Sequence, residues 1–400
     1  MPAIDLVNSE FAPGELASLP FPTDEYHSRW KRARSILLQQ GIDALVLSSQ
    51  RNFEYIVGYR TPAWYIKSRP LIVVVPSSGA PFVVASEAHA AEIQAEGVVD
   101  SLIAYVGFEE AATDGLIQGL AERGLGRGAL GFELGHEQRL GLPFQQFQRL
   151  RDVLSDARII DATSVIWQLR LIKSQHEVAY LREAGRITGA AYTNLLSSLR
   201  EGWTQWDVYR EFGRSLLAHG GDGPEYLTMT GGPGHYDRRN SWPGERAFVA
   251  DELFWMDVAA PYRAYFADYT RCASVGRGLS VQRQTYLQVH EILDHALDAV
   301  RAGVEASAIM AAAQEAAQRH NLTITVSSRI GHGVGLDLTE PPSLTQDATD
   351  VLVPGMVIAV EPGVITDHGF FHLEENVVVL ANGYAFLSEP MPQTLPEVGL

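Results

Sequence analysis

The chain has 400 residues, of which 46% are hydrophobic, and this is enough for two packed domains of roughly 100–200 residues each. Its 48 acidic and 31 basic side chains give a formal charge of −17, which disfavours nucleic acid and anionic membranes as partners. The single cysteine, Cys272, excludes an intramolecular disulfide and any Cys-based zinc or iron–sulfur site.

The N-terminal part of the chain alternates between helical and strand patterns. Residues 1–22 lack the basic start and apolar core of a signal peptide, and no apolar run approaches the roughly 20 residues of a membrane span, so we expect a soluble, cytoplasmic protein. Thr23 can cap a helix that ends at Gln40, before Gly41. Alternating segments follow and predict a modest α/β domain. They are the β runs Ala44–Leu47, Leu71–Val75 and Phe82–Ala85, and the helical stretches Glu87–Glu96 and Ala112–Arg123.

The pattern changes after residue 162, where we place a domain boundary, so that residues 1–162 and 163–400 form separate domains. Two capping boxes, Ser174 with Glu177 and Thr204 with Asp207, predict helices to about Leu199 and Ala218. The remaining segments predict an α+β domain. They are the β runs Leu253–Ala260, Tyr265–Ser274, Met356–Val360 and Asn376–Leu380, and the helical stretches Gln284–Ala302 and Ser307–His320.

Two hairpins in this domain carry paired carboxylates. If the first hairpin turns about Tyr262–Arg263, Asp257 and Asp268 face each other with Cβ atoms about 4.5–5.5 Å apart. A turn centred on Asp367–Gly369 places Glu361 opposite Glu374 in the same way. Like charges so placed destabilise a hairpin unless a cation lies between them, so two such pairs in apolar strands predict a cation site.

A histidine in a glycine-rich segment, His332 in Arg329–Gly335, can complete this site, because flanking glycines let the backbone approach a ligand closely. The resulting ligand set suits two divalent ions about 3.5–4 Å apart, with Mn²⁺ as our first choice and Fe²⁺, Co²⁺ or Zn²⁺ as the others. Such a centre acidifies water and polarises a carbonyl group, which favours amide hydrolysis. The predicted ligands are Asp257, Asp268, His332, Glu361 and Glu374.

Several of these segments resemble the creatinase/prolidase/methionine aminopeptidase family. They are Met256–Gly276, Gly331–Leu336, Pro354–Gly363 and His372–Val379, and Arg170–Glu177 looks like the start of the catalytic domain in the prolidase-like branch. The resemblance implies a pita-bread C-terminal metal domain preceded by a smaller α/β N-terminal domain. It also implies a homodimer, and Glu374 rather than Glu375 as the last ligand.

The sequence departs from the family's peptidases at three positions. Thr339 takes the place of a second histidine that follows the metal-binding one, and another family histidine falls here on Asn240 or Ser241, with His235 the nearest histidine. His372 stands where the prolidase branch usually has arginine. Loss of a proton-handling group typically costs ~10²–10⁴ in rate, so we expect an intact metal centre with altered handling of the substrate.

Our leading hypothesis is a dinuclear metal-dependent hydrolase of a C–N bond in a small molecule or dipeptide, similar to Xaa-Pro dipeptidase or aminopeptidase P. Glu361 would shuttle the proton to the leaving nitrogen, and His235 would assist. The alternatives are an enzyme resembling ectoine hydrolase, a carbon–sulfur lyase, and a catalytically inactive binding module. Trp64 and Tyr65 are candidates to cover a partner subunit's pocket, with ordinary packing as the other interpretation.

Overall fold

The computed structural model describes residues 19–325 and 329–399. Within them the chain forms two compact units, which divide between Arg170 and Leu171. The expected boundary after residue 162 lies eight residues earlier, because the helix Thr163–Arg170 packs against the first helix of the N-terminal unit. None of the described helices is long and apolar enough to cross a membrane.

The N-terminal unit contains one six-stranded mixed sheet with the strand order β4-β3-β2-β1-β5-β6. Its strands are β1 (Ala44–Leu47), β2 (Ile72–Pro76), β3 (Phe82–Ser86), β4 (Ser101–Tyr105), β5 (Ala129–Phe132) and β6 (Arg158–Asp161). Its helices are α1 (Thr23–Gln40), α2 (Gln50–Val57), α3 (Glu87–Glu96), α4 (Glu109–Glu122), α5 (Phe144–Val153) and α6 (Thr163–Arg170), with a short 3₁₀ turn at Pro62–Tyr65.

Local sequence explains how these elements begin and end. Helix α1 ends at Gln40 because Gly41 takes a left-handed conformation with φ of 66°, as the sequence predicts. The predicted capping role of Thr23 was wrong: Thr23 is the first helical residue, and Pro22 precedes it without a side-chain cap. Strands β1, β2 and β3 are buried throughout, and their side chains form the core together with α4 and α5.

The C-terminal unit contains a five-stranded sheet (β11-β10-β12-β15-β16), a four-stranded sheet (β17-β9-β8-β7) and the hairpin β13-β14. The strands are β7 (Tyr226–Met229), β8 (Leu253–Tyr262), β9 (Tyr265–Val275), β10 (Arg329–Gly333), β11 (Glu340–Thr345), β12 (Val357–Val360), β13 (Gly363–Thr366), β14 (Gly369–His372), β15 (Glu375–Val379), β16 (Tyr384–Phe386) and β17 (Glu397–Val398). The helices are α7 (Gln175–Ser198), α8 (Gln205–Ala218), α9 (Ser280–Asp298) and α10 (Ala306–Arg319).

Both predicted capping boxes are present at the starts of α7 and α8. These two helices pack on the sheet of β8 and β9 and form one apolar core, whereas α9 and α10 contribute a second core with β12, β14 and β15. This mixture of sheets and segregated helices agrees with the α+β class expected for the domain. Strands β9 and β15 contact each other, so the two sheets meet at the residues described next.

Candidate metal centre

The first two carboxylates lie on the hairpin of β8 and β9. Its two-residue turn, Arg263–Ala264, has positive φ angles of 50° and 71°. Asp257 therefore lies opposite Thr270 and not opposite Asp268. The predicted direct pairing was wrong, because the turn falls one residue later than Tyr262–Arg263. Since this shifts the register by two residues, Asp257 and Asp268 remain on one face of the hairpin as diagonal neighbours.

Glu361 and Glu374 lie where one antiparallel ladder stops and another begins. Strand β12 pairs with β15, and β13 pairs with β14, in one common register that places Glu361 opposite Glu374, as the sequence predicts. Neither glutamate belongs to a strand itself. The ladder is thus interrupted at the two carboxylates.

The glycines that flank His332 are required by the neighbouring strands. A Cβ atom on Gly331 would lie 2.1 Å from the carbonyl oxygen of Ala359, and one on Gly333 would lie 2.1 Å from that of Pro341. His332 is therefore held on β10 between two closely approaching backbones. The glycines let the backbone approach neighbouring strands, where the sequence predicts an approach to a ligand.

The imidazole of His332 directs its Nε2 toward two carboxylates. Its Nδ1–H donates to the carbonyl of Gly333 at 3.0 Å, which leaves Nε2 unprotonated in the neutral ring. Nε2 lies 3.3 Å from Asp268 Oδ2 and 3.5 Å from Glu361 Oε1. A backbone partner for the second ring nitrogen is the usual arrangement of a metal-binding histidine.

Three of the carboxylates converge. Asp257, Asp268 and Glu374 each offer one oxygen atom, and these atoms lie within 4.8 Å of one another. Among the described residues, no donor reaches the buried atoms Asp257 Oδ1 and Glu374 Oε1. Buried carboxylate oxygens without a donor are costly, so a cation is their natural partner. The residues present therefore fit the divalent ions that the sequence predicts.

Two side chains hold this cluster across the gap between the sheets. Thr270 Oγ1 donates to Glu374 Oε2 at 2.8 Å, so the residue opposite Asp257 positions another carboxylate. Asn376 accepts from the backbone N–H of Asp268 at 3.1 Å and donates to its carbonyl oxygen. Sequence reasoning missed both residues, although Thr270 shares a strand face with Asp268 by simple alternation.

A buried ion pair lies beside Glu374. Arg271 is 4% exposed and Glu375 is 2% exposed, and Arg271 Nη2 lies 3.1 Å from Glu375 Oε2. The same guanidinium donates to the carbonyl oxygen of Glu374 and stacks 3.8 Å from the ring centroid of Tyr269. Glu375 is thus engaged by arginine, which leaves Glu374 as the glutamate that faces the cluster.

Crowding raises the pKa values of the three converging carboxylates. Burial and the charge of Asp268 raise the pKa of Asp257 to about 8, although the positive charge of His372 opposes them. Burial also raises the pKa of Asp268, and burial with the charges of its neighbours raises that of Glu374 well above its usual range. Without a cation, these groups therefore retain protons that ordinary carboxyl groups lose.

Glu361 behaves in the opposite way. Burial alone would raise its pKa, but the hydrogen bond from His372 and the charges of both histidines lower it. Burial would lower the pKa values of His332 and His372, yet their carboxylate partners raise them. The hydrogen bond between Glu361 and His372 thus favours an ionised carboxylate and a protonated imidazole.

A cavity of about 260 Å³ opens beside the cluster. It is lined by Arg239, Asn240, Trp255, Asp257, Arg329, Glu361, Phe370 and His372. The ring of His372 stacks on Phe370 with centroids 5.0 Å apart and an interplanar angle of 22°, and Trp255 meets Phe370 edge-on at 5.0 Å. The guanidinium of Arg239 lies 5.1 Å from the same ring. One wall is therefore aromatic and one edge is cationic.

His372 connects this wall to the cluster. Its Nε2 donates to Glu361 Oε2 at 3.1 Å, and its buried Nδ1 has no hydrogen-bond partner among the described residues. In the sequence, His372 stands out only as a departure from the family. The alternation of Phe370, His372 and Glu374 could have indicated that they share a face.

Other predicted positions lie away from the cluster. His235 is exposed in a loop, where its backbone N–H donates to Gly232, and neither it nor Thr339 is among the described residues that line the cavity. The predicted assisting role of His235 is therefore not supported by its position. Asn240 does line the cavity and accepts a 3.5 Å hydrogen bond from Tyr226.

Comparisons with known proteins identify the family of this chain. The chain matches the model of metallopeptidase family M24 over residues 179–381 and that of the creatinase/prolidase N-terminal domain over residues 29–172. It is 25% identical over 381 residues to the probable dipeptidase PepE of Mycobacterium bovis, covering 95% of this chain and 98% of that protein. It is 28% identical over 244 residues to the Xaa-Pro dipeptidase of Pyrococcus furiosus, covering 60% and 66% of the two chains.

Solved structures share the fold. The Xaa-Pro dipeptidase from Bacillus anthracis superposes with a TM-score of 0.81 at 22% identity, over 93% of this chain and 100% of that one. The matched family models together span both structural units. The chain therefore belongs to metallopeptidase family M24 and carries a creatinase/prolidase-type N-terminal domain.

Proposed function

We propose that this member of the family is a dinuclear metal-dependent dipeptidase that cleaves Xaa-Pro substrates. The observation that carries the proposal is the convergence of Asp257, Asp268 and Glu374 around two buried oxygens without donors, next to a small cavity. His332 and Glu361 complete the proposed ligand set, because the imidazole Nε2 lies within 3.5 Å of both Asp268 and Glu361. Divalent ions bound there would supply Lewis-acid polarisation of the scissile carbonyl and an acidified water nucleophile.

The pair of Glu361 and His372 would handle the protons. Glu361 is the carboxylate whose pKa is lowered, so it is ionised and able to accept a proton. His372 donates to its Oε2 at 3.1 Å and lines the cavity, so it can return a proton toward the leaving nitrogen. In our proposal His372 takes the assisting role that was predicted for His235.

The volume and lining of the cavity favour a small substrate that has both an apolar ring and a carboxylate. Its volume of about 260 Å³ lies below the range of about 300–1,000 Å³ that is typical of small-molecule sites, which favours a dipeptide over a longer peptide. Phe370 and Trp255 would pack against the pyrrolidine ring of a C-terminal proline. Arg239 and Arg329 would bind the proline carboxylate, since guanidinium groups recognise carboxylates through two parallel hydrogen bonds.

The proposal is tested by release of free proline from Ala-Pro after chelation and reloading with Mn²⁺. Ala-Pro-amide and Ala-Gly are matched substrates that lack the carboxylate or the ring. We expect Ala-Pro to have the highest kcat/KM, and Glu374→Gln to abolish turnover while Glu389→Gln, at an exposed position, retains it. Absence of proline release with Mn²⁺, Co²⁺, Fe²⁺ or Zn²⁺ would refute the peptidase assignment.

The same assay separates the alternatives. A carbon–sulfur lyase or an enzyme similar to ectoine hydrolase would bind metal but release no proline. An inactive binding module would bind no metal and release no proline. Manganese as the native metal, the homodimer and the cytoplasmic location stay predictions.

A further inference from the structure

The N-terminal unit contains a cavity of about 600 Å³, which is larger than the cavity beside the carboxylate cluster. The proposed dipeptidase chemistry does not use it. This volume lies within the range typical of small-molecule sites. Its walls come from the segment after β1, the segment before β2, the start of α4 and the loop before α5. They are formed by Ser48, Ser49, Gln50, Ala63, Trp64, Ile66, Lys67, Arg69, Pro70, Leu71, Glu109, Arg139, Leu140, Gly141, Leu142 and Pro143.

The cavity lies where the sheet topology favours a ligand site. The chain runs outward from β1 to β4 and then returns to place β5 on the other side of β1, so the strand order reverses between two parallel strands. Open α/β sheets bind ligands beyond the carboxyl ends of their strands at such a reversal. Ser48 and Ser49 directly follow the carboxyl end of β1 and line the cavity.

Three independent contacts hold the walls in place. Gly141 donates its N–H to Ser48 Oγ at 3.0 Å, and a Cβ atom there would meet the Ser48 carbonyl oxygen at 1.9 Å, so only glycine permits this approach. Tyr105 donates to the carbonyl of Pro70 at 2.9 Å. Trp64 packs against Phe53 with ring centroids 5.5 Å apart. The cavity is thus preformed, which lowers the entropic cost of binding.

The charges of the lining indicate the chemistry of the occupant. The lining contains three cations, Lys67, Arg69 and Arg139, and one carboxylate, Glu109, so it is cationic in a chain whose formal charge is −17. Within residues 19–325 and 329–399, none of these three cations forms an ion pair. The backbone N–H groups of Ser48 and Ser49 are taken by Glu133, so these cations would supply the binding of an anion.

We propose that this cavity binds a small organic anion, with an apolar body against Trp64, Leu71 and Leu142 and an acidic group at Lys67, Arg69 and Arg139. The site lies wholly in the N-terminal unit, and it is independent of the dipeptidase proposal. The proposed metal centre does not use this cavity, so the proposed anion site and the proposed dipeptidase function can be refuted separately.

The test is binding of phenylacetate to the full chain, measured by titration calorimetry and by the change in tryptophan fluorescence. We expect a dissociation constant of about 1 mM or tighter, and about tenfold weaker binding for neutral phenylacetamide. The double variant Arg69→Gln/Arg139→Gln should lose at least about tenfold in affinity. Arg127→Gln removes an exposed cation of the same unit and should not change binding, and Trp64→Phe should abolish the fluorescence change.

Two further arms locate the ligand. Arg239→Gln, in the other cavity, should leave phenylacetate binding intact, whereas inorganic phosphate should bind at least about tenfold more weakly than phenylacetate because it lacks the apolar body. Equal binding to the double variant and to wild type would overturn the proposal. Loss of binding in Arg239→Gln alone would do so as well, as would equal affinity for phosphate or for phenylacetamide.

Discussion

Removal of metal should make the stability of the protein depend on pH in an unusual direction. The folded-state pKa of Asp257 is about 8, because burial and the charge of Asp268 raise it, whereas an unfolded aspartate has a pKa of about 3.9. Between these values the native state holds a proton that the unfolded state has lost. The metal-free protein is therefore most stable below the unfolded pKa and loses stability as pH rises toward 8.

The magnitude follows from the number of excess protons. One proton held only by the native state lowers the free energy of unfolding by about 1.36 kcal/mol per pH unit. Between pH 5.5 and 7.5 this amounts to about 2.7 kcal/mol, or roughly 3 °C in Tm if the whole chain unfolds cooperatively and roughly 6 °C if the C-terminal unit unfolds alone. Asp268 and Glu374, whose pKa values burial also raises, shift the result in the same direction.

The assay is urea unfolding of the chelator-treated protein at pH 5.5, 6.5 and 7.5 at constant ionic strength. Asp257→Asn mimics the protonated form. It should therefore remove the pH dependence of the unfolding free energy that one excess proton causes, and it should stabilise the metal-free protein at pH 7.5. Asp237→Asn changes an exposed carboxyl group of the same unit and is the matched control. Stability that rises from pH 5.5 to 7.5 without metal, or an Asp257→Asn slope equal to that of wild type, would refute the reasoning.

Four further predictions test other parts of the account. Arg271→Met should destabilise the protein by about 3–5 kcal/mol in urea unfolding, because it leaves Glu375 buried without its partner, and adding Glu375→Gln should restore most of the loss. Gly331→Ala should cost about 1–3 kcal/mol and weaken metal binding measured by calorimetry, since its Cβ would collide with a strand carbonyl. His372→Ala should lower kcat on Ala-Pro by ~10²–10⁴ with KM nearly unchanged. Arg239→Gln should raise KM for Ala-Pro about tenfold and leave that for Ala-Pro-amide unchanged.

Much of the metal centre could be predicted because local rules govern it. The capping boxes of Ser174 and Thr204 mark their helices through a fixed spacing, and both are present. Moving the turn by one residue shifts the register by two residues, so alternation keeps Asp257 and Asp268 on one face of the hairpin. The prediction that these carboxylates converge therefore survived an error in their pairing.

The rest depended on information that is not local. The turn at Arg263–Ala264 has positive φ at both residues, a conformation in which asparagine and glycine are usual, so its position could not be predicted from residue type. The polar loop from Gly231 to Pro243 has no periodicity, and for that reason the sequence could not show that Arg239 and Asn240 face the cavity while His235 faces solvent. The packing of Trp255 against Phe370 and His372 needs the contact of β14 with β8, which tertiary packing sets.

The most direct test of the metal centre is the metal content of the purified chain, measured by inductively coupled plasma mass spectrometry after Mn²⁺ loading and gel filtration. The proposed two-metal site predicts two equivalents of metal per chain, reduced to one or none in Glu374→Gln and unchanged in Glu389→Gln. A wild-type chain that retains no metal, or a Glu374→Gln variant that retains as much as wild type, would contradict the account.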